Sequence, residues 1–218
     1  MLDRSFVVFI CLLILAGCAY REEPVPRVVS VPTISVPTPV QPRGKFVEPK
    51  ADVPRIDRNV PSDWLPPSGS ERQWTAIVVH HSATGSGNAA IFDKWHRQGN
   101  NWDGVGYDFV IGNGSDSDDG EVEVTFRWRE QRTGAHCKTP DNWANESAVG
   151  ICLVGDFNNM APSSRQMQSL VKLVSFLQNR YGISKSRIYG HNTTPGARVT
   201  DCPGKRFSMV RLKSMLQG

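Results

Sequence analysis

Proline divides this 218-residue chain more sharply than any other residue type: eleven of its fifteen prolines lie between Pro24 and Pro67. Each proline removes a backbone donor and fixes φ. A stretch such as PVPRVVSVPTISVPTPVQP therefore neither pairs inside a sheet nor winds into a helix. It runs instead as a semi-rigid spacer at about 3.1 Å per residue. Any packed core has to come from the residues beyond it. The expected organisation is a Pro-rich tether over residues 18–70 and one globular domain over residues 71–218, a length that suits a single domain. With 25 basic against 21 acidic residues and no basic run, the net charge of +4 calls for no nucleic acid.

The N-terminus reads differently. One early Arg4 is followed by an apolar run from Phe6 to Ala16 and then by Gly17 and Cys18. The run is too short for a typical membrane-spanning helix, which needs about 20 residues, and fits the apolar part of a secretory signal. Its end, LAGC, resembles the bacterial lipobox. That resemblance implies cleavage after residue 17 and a lipid on Cys18. The acyl chains would hold the protein on a membrane of the cell envelope, with an outer-membrane, periplasm-facing lipoprotein as the expectation. Of the five cysteines, Cys137, Cys152 and Cys202 then remain. An odd number in an exported chain leaves at least one thiol outside a disulfide.

Within the domain, TAIVVH (75–80), YDFVIG (107–112), EVEVTFRW (121–128), AVGICLVGDF (148–157) and SRIYGH (186–191) read as strands, the fourth as the central one. NAAIFDKWHRQ (88–98), SSRQMQSLVKLVSFLQNRYG (163–182) and RFSMVRLKSML (206–216) read as helices. The second carries a Ser163/Gln166 capping box and a Gly182 stop. Strands mixed with helices predict an α/β fold, a mixed central β-sheet flanked by helices.

Three stretches carry chemistry. VVHHS ends the first strand, YGH ends the last, and Cys202 follows His191 by eleven residues. In a strand, neighbouring side chains point to opposite faces, so only one of His80 and His81 enters a common site. Two imidazoles and a thiolate suit tetrahedral zinc with a fourth position left for water. A Cys–His nucleophile pair made of Cys202 and His191 is the competing chemistry.

Seven segments resemble, in order, the zinc-dependent N-acetylmuramoyl-L-alanine amidase family that includes phage T7-type lysozymes and the animal peptidoglycan recognition proteins. They are IVVHHSATG, WHRQGNNWDGVGYDFVIG, GAHC, SAVGICLVGDF, MQSLVKLVSFLQNRYGI, IYGHNTTPG and TDCPG. The resemblance implies Zn²⁺ held by His80, His191 and Cys202, with His81 turned away toward the helix behind the sheet. It implies that Tyr107 stands near the metal and that Thr200 donates to the developing oxyanion, where T7-type enzymes carry a lysine. His136 matches a histidine of the substrate groove, and Trp102 and Asp103 match a family stretch leading into Tyr107 and read as packing and groove wall. The spacing from His191 to Cys202 exceeds that of the animal proteins, with TPGA as the excess. The implied activity is hydrolysis of the amide between N-acetylmuramic acid and L-alanine, by a monomer acting on peptidoglycan or muropeptides. A non-catalytic peptidoglycan-binding module and a structural zinc domain are the alternatives.

Overall fold

In the computed structural model, residues 60–216 are described, so the signal segment, Cys18 and most of the tether lie outside the described residues. Five strands form one mixed sheet: β1 (Ala76–His81), β2 (Phe109–Ile111), β3 (Val122–Val124), β4 (Ala148–Leu153) and β5 (Ile188–Gly190). Their order is β3-β2-β4-β1-β5, so the most apolar segment, β4, is central as expected. β4 runs parallel to β1 and β2, β5 runs parallel to β1, and β3 closes one edge antiparallel to β2.

The two faces of the sheet differ in side-chain size, and this asymmetry positions the site. Ile77 and Val79 of β1, Val149, Ile151 and Leu153 of β4, Phe109 and Ile111 of β2 and Ile188 of β5 share one apolar cluster. Against them pack Met167, Leu170, Leu173, Val174 and Leu177 of α4 (Ser164–Tyr181) and Leu212 of α5 (Met209–Met215). The opposite face carries Ala76 and Val78 of β1 and Ala148, Gly150 and Cys152 of β4. These small side chains leave room there for larger polar groups. α1 (Ala89–Asn100) covers part of that face through Phe92.

Local sequence explains the helix ends. The Asn88 side chain accepts the Ile91 N–H to start α1, and Asn101 ends it in the left-handed region. The α4 capping box forms as expected: Ser163 Oγ accepts the Gln166 N–H while the Gln166 side chain accepts the Ser163 N–H. Gly182 closes α4 at φ 68°.

Three expectations are corrected. The strand expected over 121–128 stops at Val124, because Thr125 Oγ1 caps the short helix α2 (Phe126–Arg129) by accepting the Arg127 N–H. A second short helix, α3 (Trp143–Ser147), precedes β4 where no helix is expected from sequence. The tether does not run to residue 70. Trp64, in a one-turn helix started by Pro61, is 3% exposed, packs on Phe176 and accepts the Trp128 indole N–H through its carbonyl. Burying that indole outweighs the local preference of the surrounding prolines for an extended chain.

Asp108, just before β2, is fully buried. Its Oδ2 accepts the Gly150 N–H at 2.7 Å, while Oδ1 has no partner. Burial raises its pKa from 3.8 to about 7. The folded state therefore holds a proton that the unfolded state has already lost, and this group's contribution to stability falls as pH rises from about 4 to about 7. Asp108→Asn keeps an acceptor for Gly150 and cannot ionise. Its melting temperature relative to the parent is expected to climb across that window in paired thermal melts. A constant offset from pH 4 to pH 7 would refute this assignment.

Candidate metal centre

The parallel strands deliver their side chains at their carboxyl ends, where sites on such sheets gather. His80 is the fifth residue of β1 and points to the small-residue face with Ala76 and Val78, while His81 follows Ile77 and Val79 to the other face. His191 begins the one-turn helix directly after β5. Its backbone register is held by Gly190, whose N–H is accepted by Thr193 Oγ1.

Cys202 comes from further along the chain but is tied to the same place. The Asn192 N–H donates to the Cys202 carbonyl at 2.7 Å, which closes the intervening loop at its neck. Pro203 lies over Gly190 so closely that a Cβ there would sit 2.8 Å from its Cδ, so only glycine permits the approach. The ligating atoms of His80, His191 and Cys202 all lie within 4.8 Å of one another. Cys202 Sγ is 3.6 Å from His80 Nδ1, and the His80 and His191 ring centroids are 4.7 Å apart. His80 is 1% exposed, and His191 and Cys202 are half-buried.

The electrostatics match the donor set. Burial holds His80 and His191 below the ordinary imidazole range, which keeps their lone pairs free. Burial also pushes the Cys202 thiol up to about 12, so a thiolate there needs a cation beside it. Two neutral imidazoles and a thiol awaiting a cation fit zinc.

Around this cluster stand the other expected residues. Tyr107 is half-buried with its ring 5.3 Å from His80. Burial holds its phenol well above the usual range, so it remains an O–H donor at neutral pH. Thr200 Oγ1 accepts the Cys202 N–H at 3.2 Å, which fixes the oxygen and leaves its own hydrogen to donate. The TPGA residues are held at two points: Thr194 Oγ1 donates to the Gly190 carbonyl of β5, and the Trp143 indole of α3 donates to the Pro195 carbonyl.

The model of the N-acetylmuramoyl-L-alanine amidase family matches residues 70–205. The chain belongs to this family. Peptidoglycan-recognition protein SC2 of Drosophila melanogaster is 31% identical over 58% of this chain and 66% of its own length. Peptidoglycan-recognition protein 2 of Holotrichia diomphalia is 26% identical over 65% of this chain and 75% of its own. Among solved structures, the endolysin N-acetylmuramoyl-L-alanine amidase LysCS from Clostridium intestinale is 30% identical, with a TM-score of 0.55 over 65% of this chain and 82% of that one.

Against that family membership, several residues of this amidase-family domain stand elsewhere than expected. His136 does not face a groove. It is 8% exposed, and its ring nitrogens meet His80 Nε2 at 3.0 Å and the Ala148 carbonyl at 3.2 Å. His81 does turn away from the cluster, but it meets the loop after β4 instead of a helix: its Nδ1 accepts the Phe157 N–H at 3.0 Å. Cys137, Cys152 and Cys202 are all free thiols, in keeping with an odd number of cysteines in the domain.

The amidase-family domain also uses residues that sequence reasoning passes over. His96 reads from sequence as an ordinary helix residue, yet its Nδ1 accepts the Gly106 N–H and its ring lies 5.7 Å from Tyr107 and 5.0 Å from Trp102. Its spacing of four from the buried Phe92 is the available signal. Arg127 is buried and reaches three points: the Val105 carbonyl, the Thr133 carbonyl and Asp103, the last at 2.5 Å. It thereby staples the Trp102–Tyr107 stretch to the segment leading into His136.

Proposed function

We propose that the domain is a zinc-dependent N-acetylmuramoyl-L-alanine amidase that cleaves the lactyl amide of peptidoglycan or its muropeptides. The observation that carries this reading is the convergence of His80, His191 and Cys202 within 4.8 Å. Zinc held there supplies Lewis acidity, which polarises an amide carbonyl and acidifies water. The rest of the chemistry falls to the protein. His80 and His191 offer neutral lone pairs, and Cys202 gives up its thiol proton on binding the cation. Thr200 directs its hydroxyl hydrogen toward the carbonyl oxygen as negative charge builds on it. Tyr107 holds a phenolic donor beside His80 and orients the attacking water. Water adds across the amide, leaving a muramoyl carboxylate and the free amine of L-alanine.

A binding-only module is the second reading, favoured by the number of peptidoglycan-recognition proteins among the relatives. Mass analysis of products from purified peptidoglycan, with and without a chelator, separates the two. New muramoyl carboxylates and free L-alanine termini that vanish with the chelator support the enzyme. Unchanged wall with retained binding supports the module.

The same proposal places the domain in the cell envelope, tethered by a lipid on Cys18. Cys18→Ser is expected to lose lipid labelling and to leave the membrane fraction or stall before cleavage. Unaltered labelling and membrane partition would remove this part of the reading.

A further inference from the structure

We infer that His136 is a positioning residue that fixes the tautomer of His80, leaving His80 Nδ1 bare toward Cys202 and His191. The inference rests on reading those three residues as the zinc ligands. A carbonyl oxygen only accepts, so the hydrogen between His136 and Ala148 sits on His136 Nε2. In a neutral ring Nδ1 is then an acceptor, and it lies 3.0 Å from His80 Nε2. His80 Nε2 therefore carries the hydrogen of that bond, and the lone pair of His80 is on Nδ1. That atom is the one 3.6 Å from Cys202 Sγ. Both rings are buried, which favours their neutral forms.

The far end of the relay cannot reverse, because a backbone carbonyl has no proton to give. Ala148 opens β4 and is registered against Ala76 of β1, so its carbonyl is fixed by the sheet. The His136 ring is fixed as well. A Cβ on Gly134 or Gly150 would lie 2.6 Å or 2.4 Å from its Cδ2, so the ring occupies a slot that two glycines leave open. Its backbone is held by Asn145 of α3, whose Oδ1 accepts the N–H of both His136 and Cys137 at 2.8 Å. A groove histidine would need a free nitrogen and an exposed edge, and this ring has neither. Its role follows the general pattern in which the partner of a ligating imidazole sets which nitrogen meets the metal.

Two variants of similar shape test this. His136→Asn keeps an acceptor, Oδ1, near the place of Nδ1. His136→Leu has the same branching and no acceptor. In the metal-free full chain labelled with ¹⁵N-histidine, long-range ¹H–¹⁵N correlations should give the Nε2–H form for His80 in the parent and in His136→Asn. A mixture of tautomers is expected in His136→Leu. Zinc affinity, measured by competition with a chromophoric chelator, should weaken about 10- to 100-fold in His136→Leu and only a few-fold in His136→Asn. The inference is overturned if the parent's His80 carries its proton on Nδ1, or if the two variants lose zinc affinity equally. If His80 shows the Nε2–H form while the parent chain binds no zinc, the relay stands and the ligand reading fails.

Discussion

His80→Ala is expected to remove zinc from the domain and to reduce turnover to the uncatalysed background, whereas His81→Ala is expected to keep both. The two residues are adjacent in β1, and the contrast comes from strand geometry. His80 offers Nδ1 to the cluster 3.6 Å from Cys202 Sγ, while the His81 side chain lies on the opposite face beside Phe157. Three protein ligands leave a tetrahedral centre one open position, and losing one of them leaves the ion too weakly held for catalysis. The His81 variant should show a different defect. It strands the buried Phe157 N–H, at a cost of about 1–3 kcal/mol. At roughly 2–4 °C per kcal/mol for a domain of this size, the melting temperature should fall by several degrees. Metal analysis, turnover on muramoyl-peptides and thermal melts on the same samples check all three. Zinc lost from His81→Ala and retained by His80→Ala would reverse the assignment of the two faces.

Removing the Thr200 or the Tyr107 donor is expected to slow the chemistry with zinc content left near one. Losing a single oxyanion donor typically lowers kcat by about 10²- to 10³-fold. Thr200→Val removes the hydroxyl while preserving shape. It also removes the acceptor for the Cys202 N–H, so the loop neck loses one of its bonds. Thr200→Ser keeps both functions of the oxygen and should retain most of the rate, which separates the chemical role from the structural one. Tyr107→Phe leaves the ring packed between His80 and His96 and removes only the phenolic O–H. It should lower kcat with little change in melting temperature. If Thr200→Val and Tyr107→Phe both turn over at the parent rate, these side chains serve packing alone.

Much of the frame was legible because it depends on local periodicity. The run of 148–153, the most apolar in the domain, reads as a central strand and forms one, and α4 announced itself through its capping box, its apolar spacing and Gly182. The strict alternation of a strand also required His80 and His81 to part company, although alternation cannot say which face holds the site. The elements that differ from expectation are the short ones. Thr125 ends β3 because its side chain caps a new helix, and α3 spans only five residues; neither is long enough to show a period.

The position of His136 lay beyond the sequence altogether. GAHC has no periodicity, and its histidine is placed by Asn145, by the slot between Gly134 and Gly150, and by the carbonyl of Ala148. Trp64 likewise reads as part of a proline-rich tether, and only the fold sets its indole against Phe176. The sequence by itself determined which residue types were available to hold a metal and which segments would form the sheet. The tertiary structure alone decided which ring nitrogen faces the cluster. That choice depends on hydrogen bonds between residues 56 and 12 positions apart in the chain, which exist only once β1, β4 and the His136 loop have packed together.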